Sequence, residues 1–306
     1  MTELSLKECD IDTIHSIYEF GNLRSLDLGV NELSNLDGIE RLKALTELSL
    51  FGIELNDWET AFKNISALKE LKSLNLAMTN VESIKGLQNA KSLERINLKS
   101  SWIEGFSDIE AFHSLRSLSI ASCDELDFDR IDDLRRLENL EVLDLSGNDI
   151  EMLEGLKDLS NIRQLFVPRT EIMELNHLEK LNKLEVLGAR ETGISEMKGI
   201  TELPKLKILD LSVTNIKQIK GLENSGDLSY LKLRGNKIGT IKSVDFKGVK
   251  ANCIVDVSNG TVENVSDDIP SNIKVVLDSK KSRSVDFGLG SVNEYIENIH
   301  DLYEAF

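Results

Sequence analysis

Cysteine, histidine, basic charge and long apolar runs are all scarce in this 306-residue chain, and each shortage excludes something. The 3 cysteines, Cys9, Cys123 and Cys253, are spread over the length with neither a metal-ligand spacing nor the density of a disulfide scaffold. No stretch approaches the roughly eighteen apolar residues that a membrane-spanning helix needs. The opening "MTELSLKECD" lacks the basic end and apolar run of a secretory signal. Those two absences make a cytoplasmic protein the expectation. No glycine-rich phosphate loop is present, since "GLGS" at 288–291 is a lone hinge-like stretch before an expected helix. Lysine and arginine number 36 against 53 acidic residues, a net charge of −17, so phosphate backbones would be repelled except by a local patch. Neither nucleic acid nor membrane is expected as a partner.

What the chain has in abundance is aliphatic residues in a fixed rhythm. In "LEVLDLSGNDIEMLEGLKDL" (140–159), Leu143 and Leu145 stand two apart, as on one face of a strand. After Asn148, Ile150, Leu153, Leu156 and Leu159 fall every third position, which suits short 3₁₀ turns. The pattern recurs. Leu143 has equivalents at Leu4, Leu26, Leu48, Leu74, Ile96, Leu118, Leu165, Leu187, Leu209 and Leu231. They follow a 22-residue step, which lengthens only between Leu48 and Leu74 and between Leu118 and Leu143. One coil cannot cover its own aliphatic interior, but stacked coils can, and their strands then form a parallel sheet.

The template L-x-x-L-x-L-x-x-N-x-I resembles the leucine-rich repeat. Its 22-residue unit is similar to the short class found in bacterial internalins and in a regulatory subunit of type-one protein phosphatase. "LRSLDLGVNEL", "LEVLDLSGNDI" and "LSYLKLRGNKI" carry the resemblance fully, and "LPKLKILDLSVTNI" has Thr in the Asn place. The resemblance implies an α/β repeat solenoid, with a curved parallel sheet on the concave side and 3₁₀ or short helices on the convex side. It implies no particular partner, because one architecture hosts many functions.

The repeat spans residues 1–262, about eleven regular coils and one degenerate coil. Residues 263–285 read as a C-terminal cap, with "IKVVLD" its last strand, and a polar break. Residues 286–306 read as an amphipathic helix with Val292, Tyr295, Ile296, Ile299, Leu302, Tyr303 and Phe306 on one face. That helix either covers the last coil or serves self-association or a partner groove. The two lengthened coils, after Leu55 and after Leu126, are each expected to replace a 3₁₀ turn by a true helix. The Asn148 column continues as Cys9, Asn31, Ile53, Thr79, Ser101, Cys123, Thr170, Thr192, Thr214 and Asn236, residues able to hydrogen-bond a bend, with Ile53 the exception. The Ile53 bend is expected to be irregular.

Catalytic sets do not converge, because His15, His113, His177 and His300 fall on different coils outside the strands. A non-enzymatic protein-binding module without cofactor or metal is expected. Strand residues that face away from the core cluster aromatics and basic groups in the later coils: Phe166, Pro168, Arg169, Arg190, Ile208, Tyr230, Lys232 and Arg234. Aromatics and arginines are the types enriched at interface centres, so these eight are the candidate partner-binding residues on the concave face. The same sheet face could also stand unoccupied, with its arginines paired to Asp210 and Glu191. Two other function classes stay open: an acidic inhibitor or immunity protein for a basic or toxic enzyme, and a translocated effector that binds a foreign protein.

Overall fold

The structure, a computed structural model, describes residues 1–105 and 109–277. The chain divides into two compact units, Met1–Asp144 and Leu145 onwards. In the first, the strands are β1 (Glu3–Ser5), β2 (Ser25–Asp27), β3 (Glu47–Ser49), β4 (Ser73–Asn75), β5 (Arg95–Asn97), β6 (Ser117–Ser119) and β7 (Val142–Asp144). Each pairs in parallel with the next, and every step aligns the repeat leucines: Leu4 with Leu26, Leu26 with Leu48, Leu48 with Leu74, and so on to Leu143. In the second unit, β8 (Gln164–Phe166), β9 (Val186–Gly188), β10 (Ile208–Asp210) and β11 (Tyr230–Lys232) pair in parallel, each with the next, and again align the repeat leucines.

Side-chain alternation turns the central leucine of each strand inwards and its two neighbours outwards. From Leu26 to Leu143 those central residues are at most 2 % exposed. Each contributes about 1.5–3 kcal/mol relative to exposure, which only stacking makes available. At the first coil the stack is open: β1 has a partner on one side, and Leu4, Leu6 and Ile11 are half-exposed.

Every coil then makes its first turn just past the strand. The position four after the central leucine lies in the left-handed region throughout: Glu8, Val30, Gly52, Met78, Ser100, Ser122, Gly147, Arg169, Glu191, Val213 and Gly235, with Asn259 continuing the column. Only three of the first eleven are glycine, and Val30 and Val213 are β-branched, the least suited residues for positive φ. The chain accepts this strain because the turning N–H reaches the neighbouring coil. Val30 N donates to Phe51 O at 2.7 Å, Met78 N to Lys99 O at 2.8 Å and Val213 N to Arg234 O at 2.7 Å.

The next residue is the Asn148 column, and it closes the bend. Asn31 Oδ1 accepts from Cys9 N and Ile11 N, and its Nδ2 donates to Leu6 O and Leu28 O, tying two coils together. Asn236 does the same for Ile216 N, Leu211 O and Leu233 O. A threonine reaches a carbonyl of its own coil, as Thr170 does to Val167 O. Ile53 makes no such bond with its side chain. At that coil Asn80 takes over, accepting from Leu55 N and from Trp58 Nε1 at 2.7 Å and donating to Leu55 O.

The two lengthened coils differ. The first contains α1 (Trp58–Ile65), capped by Asp57, whose carboxylate accepts from Thr60 N at 2.9 Å. The second, expected to be a true helix, is instead a nine-residue 3₁₀ segment, Phe128–Arg136. The reason is the spacing: Trp58, Phe62 and Ile65 fit a period of 3.6, whereas Phe128, Ile131, Leu134 and Leu137 repeat every third residue and eclipse on a 3₁₀ turn.

After β11, β12 (Lys237–Ile241) pairs with β14 (Thr261–Val265) in a separate two-stranded sheet past the bend. The strand row itself continues through β13 (Cys253–Asp256) to β15 (Ile273–Val276), as expected of "IKVVLD". The polar break and the 286–306 helix lie outside the described residues. No described helix is long and apolar enough to cross a membrane.

Two substitutions test this account. Val213→Gly relieves about 1–2 kcal/mol of left-handed strain and loosens the unfolded chain by about 0.4–1 kcal/mol, so the free energy of urea unfolding should rise by roughly 0.5–1 kcal/mol. Asn236→Ala strands two carbonyls and an N–H and should cost about 3 kcal/mol in the same assay, with Asn236→Thr costing less.

Candidate interaction face of the second unit

The eight candidate residues are brought onto adjacent coils of the second unit, but they do not all offer surface. Phe166 is 2 % exposed and Tyr230 7 %, and Ile208 and Pro168 are also buried. Phe166 lies in register with Gly188, which leaves room for the ring. Tyr230 lies between Ile208 and Ile254. Both rings are therefore buried in this structure and are not free apolar surface.

The polar members form a network built on two buried carboxylates. Asp210 Oδ1 accepts from Ser212 N and Asp256 Oδ1 from Ser258 N, each at 3.0 Å. Their other oxygens face basic groups: Lys232 Nζ is 3.7 Å from Asp210 Oδ2, and Arg234 Nε is 3.9 Å from Asp256 Oδ2. The Lys232 ammonium also sits 5.2 Å from the Tyr230 ring centroid. The Tyr230 hydroxyl lies 3.5 Å from Asp256 Oδ2, and burial, followed by the Asp256 charge, pushes its pKa up, so it stays a neutral donor. A carboxylate as buried as Asp256, at 2 %, needs such partners, since an unpaired buried charge costs several kcal/mol.

Arg234 and Arg190 keep 42 % and 47 % of their side chains exposed, and Arg169 is exposed. Arg190 bonds its neighbour Glu191. The basic patch is thus partly neutralised: Arg190 pairs with Glu191 as the sequence allowed, while Asp210 faces Lys232 instead of an arginine and Arg234 faces Asp256, which the sequence hid. Tyr230 to Ile254 is a step of 24, so a strict count of the repeat ends before Asp256. A second cross-coil group on the same coils has no sequence signal beyond its charges: Glu185 accepts from Arg163 Nη1 at 2.6 Å and Lys207 Nζ at 2.7 Å. The Lys207 bond, more than the Arg163 bond, holds its carboxyl below the usual range.

In the first unit the outward strand residues also serve the fold. Asp27, Asn75 and Asn97 each accept from the N–H two residues on, at 2.9–3.0 Å. Coil after coil, a strand register of leucines is followed by a left-handed turn and a hydrogen-bonding Asn, Thr, Ser or Cys. This is a leucine-rich-repeat fold.

The family model described as Leucine Rich Repeat matches residues 139–164, which include one of the copies that carry the template in full. No curated protein matches the chain. Among solved structures, an internalin from Listeria monocytogenes is similar at 20 % identity with a TM-score of 0.67, over 90 % of this chain and 86 % of that one. A leucine-rich-repeat protein of Leptospira interrogans gives 20 % and 0.62, over 85 % and 74 %. The plant peptide hormone receptor RGFR1 in complex with RGF2 gives 18 % and 0.54, over 84 % of this chain and 46 % of the receptor. At these identities the likeness is one of fold.

The thiols report on the same packing. Cys123 donates to Leu98 O at 3.2 Å, and burial pushes its pKa up to about 11; burial pushes Cys253 up to about 12. Cys9 is exposed. Ellman's reagent at pH 8 should therefore titrate one thiol quickly in the native repeat and three after unfolding; fast reaction of two or three natively would contradict this packing.

Proposed function

We propose that the chain is a non-enzymatic binding module that holds a protein partner on the strand face of its second unit. The observation that carries this reading is the network around Asp210 and Asp256: it holds Lys232 and Arg234 over buried carboxylates while leaving Arg234 half-exposed, two coils along the strand row from exposed Arg190. Guanidinium groups held in place lose less entropy on binding and suit bidentate contact with carboxylates. Buried Phe166 and Tyr230 then serve packing instead of the contact itself, with the Tyr230 ring under the Lys232 ammonium. The plant receptor of the same fold, bound to RGF2, supports a protein or peptide ligand as the class of partner.

The net charge of −17 favours a second reading, an acidic inhibitor steered to a cationic enzyme. The two readings part on salt and on position. Contact through Arg190 and Arg234 calls for an acidic patch on the partner; steering by the whole acidic surface calls for a basic one.

The test is affinity capture followed by titration of the captured partner against wild type and Arg190→Glu/Arg234→Glu. Tyr230 is left intact, because removing a buried ring would confound binding with folding. The double variant should bind at least tenfold more weakly. Because Arg234 also answers buried Asp256, its stability should fall by up to a few kcal/mol, so urea unfolding is run alongside and affinities are compared only where both proteins are folded. Unchanged affinity would remove this face from the reading.

A further inference from the structure

Past the bend of the last coils of the second unit lies a feature that the strand-face reading does not use. Two adjoining hollows, of about 710 and 750 Å³, share Lys217, Gln218 and Lys220. Lys198 lines the first, and Lys237 and Lys242 line the second. All five lysines are exposed, and none forms an ion pair among the described residues. Three carboxylates border the hollows, Glu196, Asp245 and Glu263, and the Asp245 carboxylate is engaged by Lys242 N at 2.7 Å. The lining is thus basic in a chain of net charge −17.

Lys198, Lys220 and Lys242 occupy the same position in three successive coils, one repeat step apart. Stacking sets them about 5 Å apart per coil, and like charges at that spacing repel. Nothing in the repeat requires lysine there, since the two preceding coils carry Glu154 and Asn176 at this position. Their register is fixed by backbone bonds between coils: Asn215 N donates to Ile194 O at 2.8 Å and Gly239 N to Lys217 O at 2.9 Å. An unpaired like-charge column on a rigid support calls for an anionic ligand.

We infer that this lysine groove binds a short acidic segment of a protein partner, laid across the three coils. From Lys198 to Lys242 is about 10 Å, the length of about three extended residues, so a few carboxylates suffice. A long polyanion would run beyond the patch onto acidic surface. The groove offers no aromatic ring for base stacking, as single-stranded nucleic acid prefers. It offers Met173 and Val244 instead, both largely exposed, which suit aliphatic side chains beside the carboxylates.

The experiment uses the full chain and a fluorescein-labelled decapeptide alternating glutamate and valine, read by anisotropy. Single-stranded RNA and phosphatidylserine vesicles are the rival polyanions. Binding of the peptide should weaken at least tenfold in K198E/K220E/K242E and severalfold between low and high salt, and should be unchanged in Arg190→Glu/Arg234→Glu. The neutral variant K198Q/K220Q/K242Q should lose binding while unfolding at the same or a higher urea concentration, as relief of repulsion requires. No binding to wild type, undiminished binding in the triple variants, tighter binding of RNA or vesicles, or a Gln variant less stable than wild type would each overturn the inference.

Discussion

The structure depends on one constraint: a backbone that bends away from the sheet in every coil must find partners for the N–H and C=O groups that the bend removes from it. Burial of leucine gives the driving force, but it does not fix coil spacing. The left-handed residue and the Asn-column side chain do, because their bonds run to the neighbouring coil at hydrogen-bond distance. Asn31 and Asn236 each serve two coils, whereas Thr170 bonds a carbonyl of its own. The column therefore mixes side chains that join two coils with side chains that close only their own bend.

That constraint reaches the outer faces. Asp27, Asn75, Asn97, Asp210 and Asp256 sit where a repeat has surface to spare, yet each carboxylate or amide closes a turn two residues on. The candidate binding face is consequently built twice over. Its acids are structural, and its basic residues first answer those acids before they can answer a partner. A binding role for Arg190 and Arg234 rests on the part of their guanidinium groups left in solvent. The lysine groove differs in kind, since its charges answer nothing within the described chain.

Much of the fold was legible because period 2 and period 3 translate directly into strand and 3₁₀ geometry. Even the 3₁₀ character of the second insertion was written in the sequence: Phe128, Ile131 and Leu134 step by three where Trp58 and Phe62 step by four. The left-handed column was not legible. Glu8, Val30, Met78 and Val213 give no local sign of positive φ, since the bond that holds them there comes from another coil.

By itself the sequence determined the repeat, its register, the buried leucine columns and the hydrogen-bonding position at each bend, because each is a property of one coil copied along the chain. Tertiary structure alone decided which outward residues are free. Phe166 and Tyr230 look available in a strand and are buried in the folded chain. Lys232 and Arg234 look like bare charge and rest on Asp210 and Asp256. Exposure and pairing are set by what the adjacent coil places about 5 Å away, and only stacking puts it there.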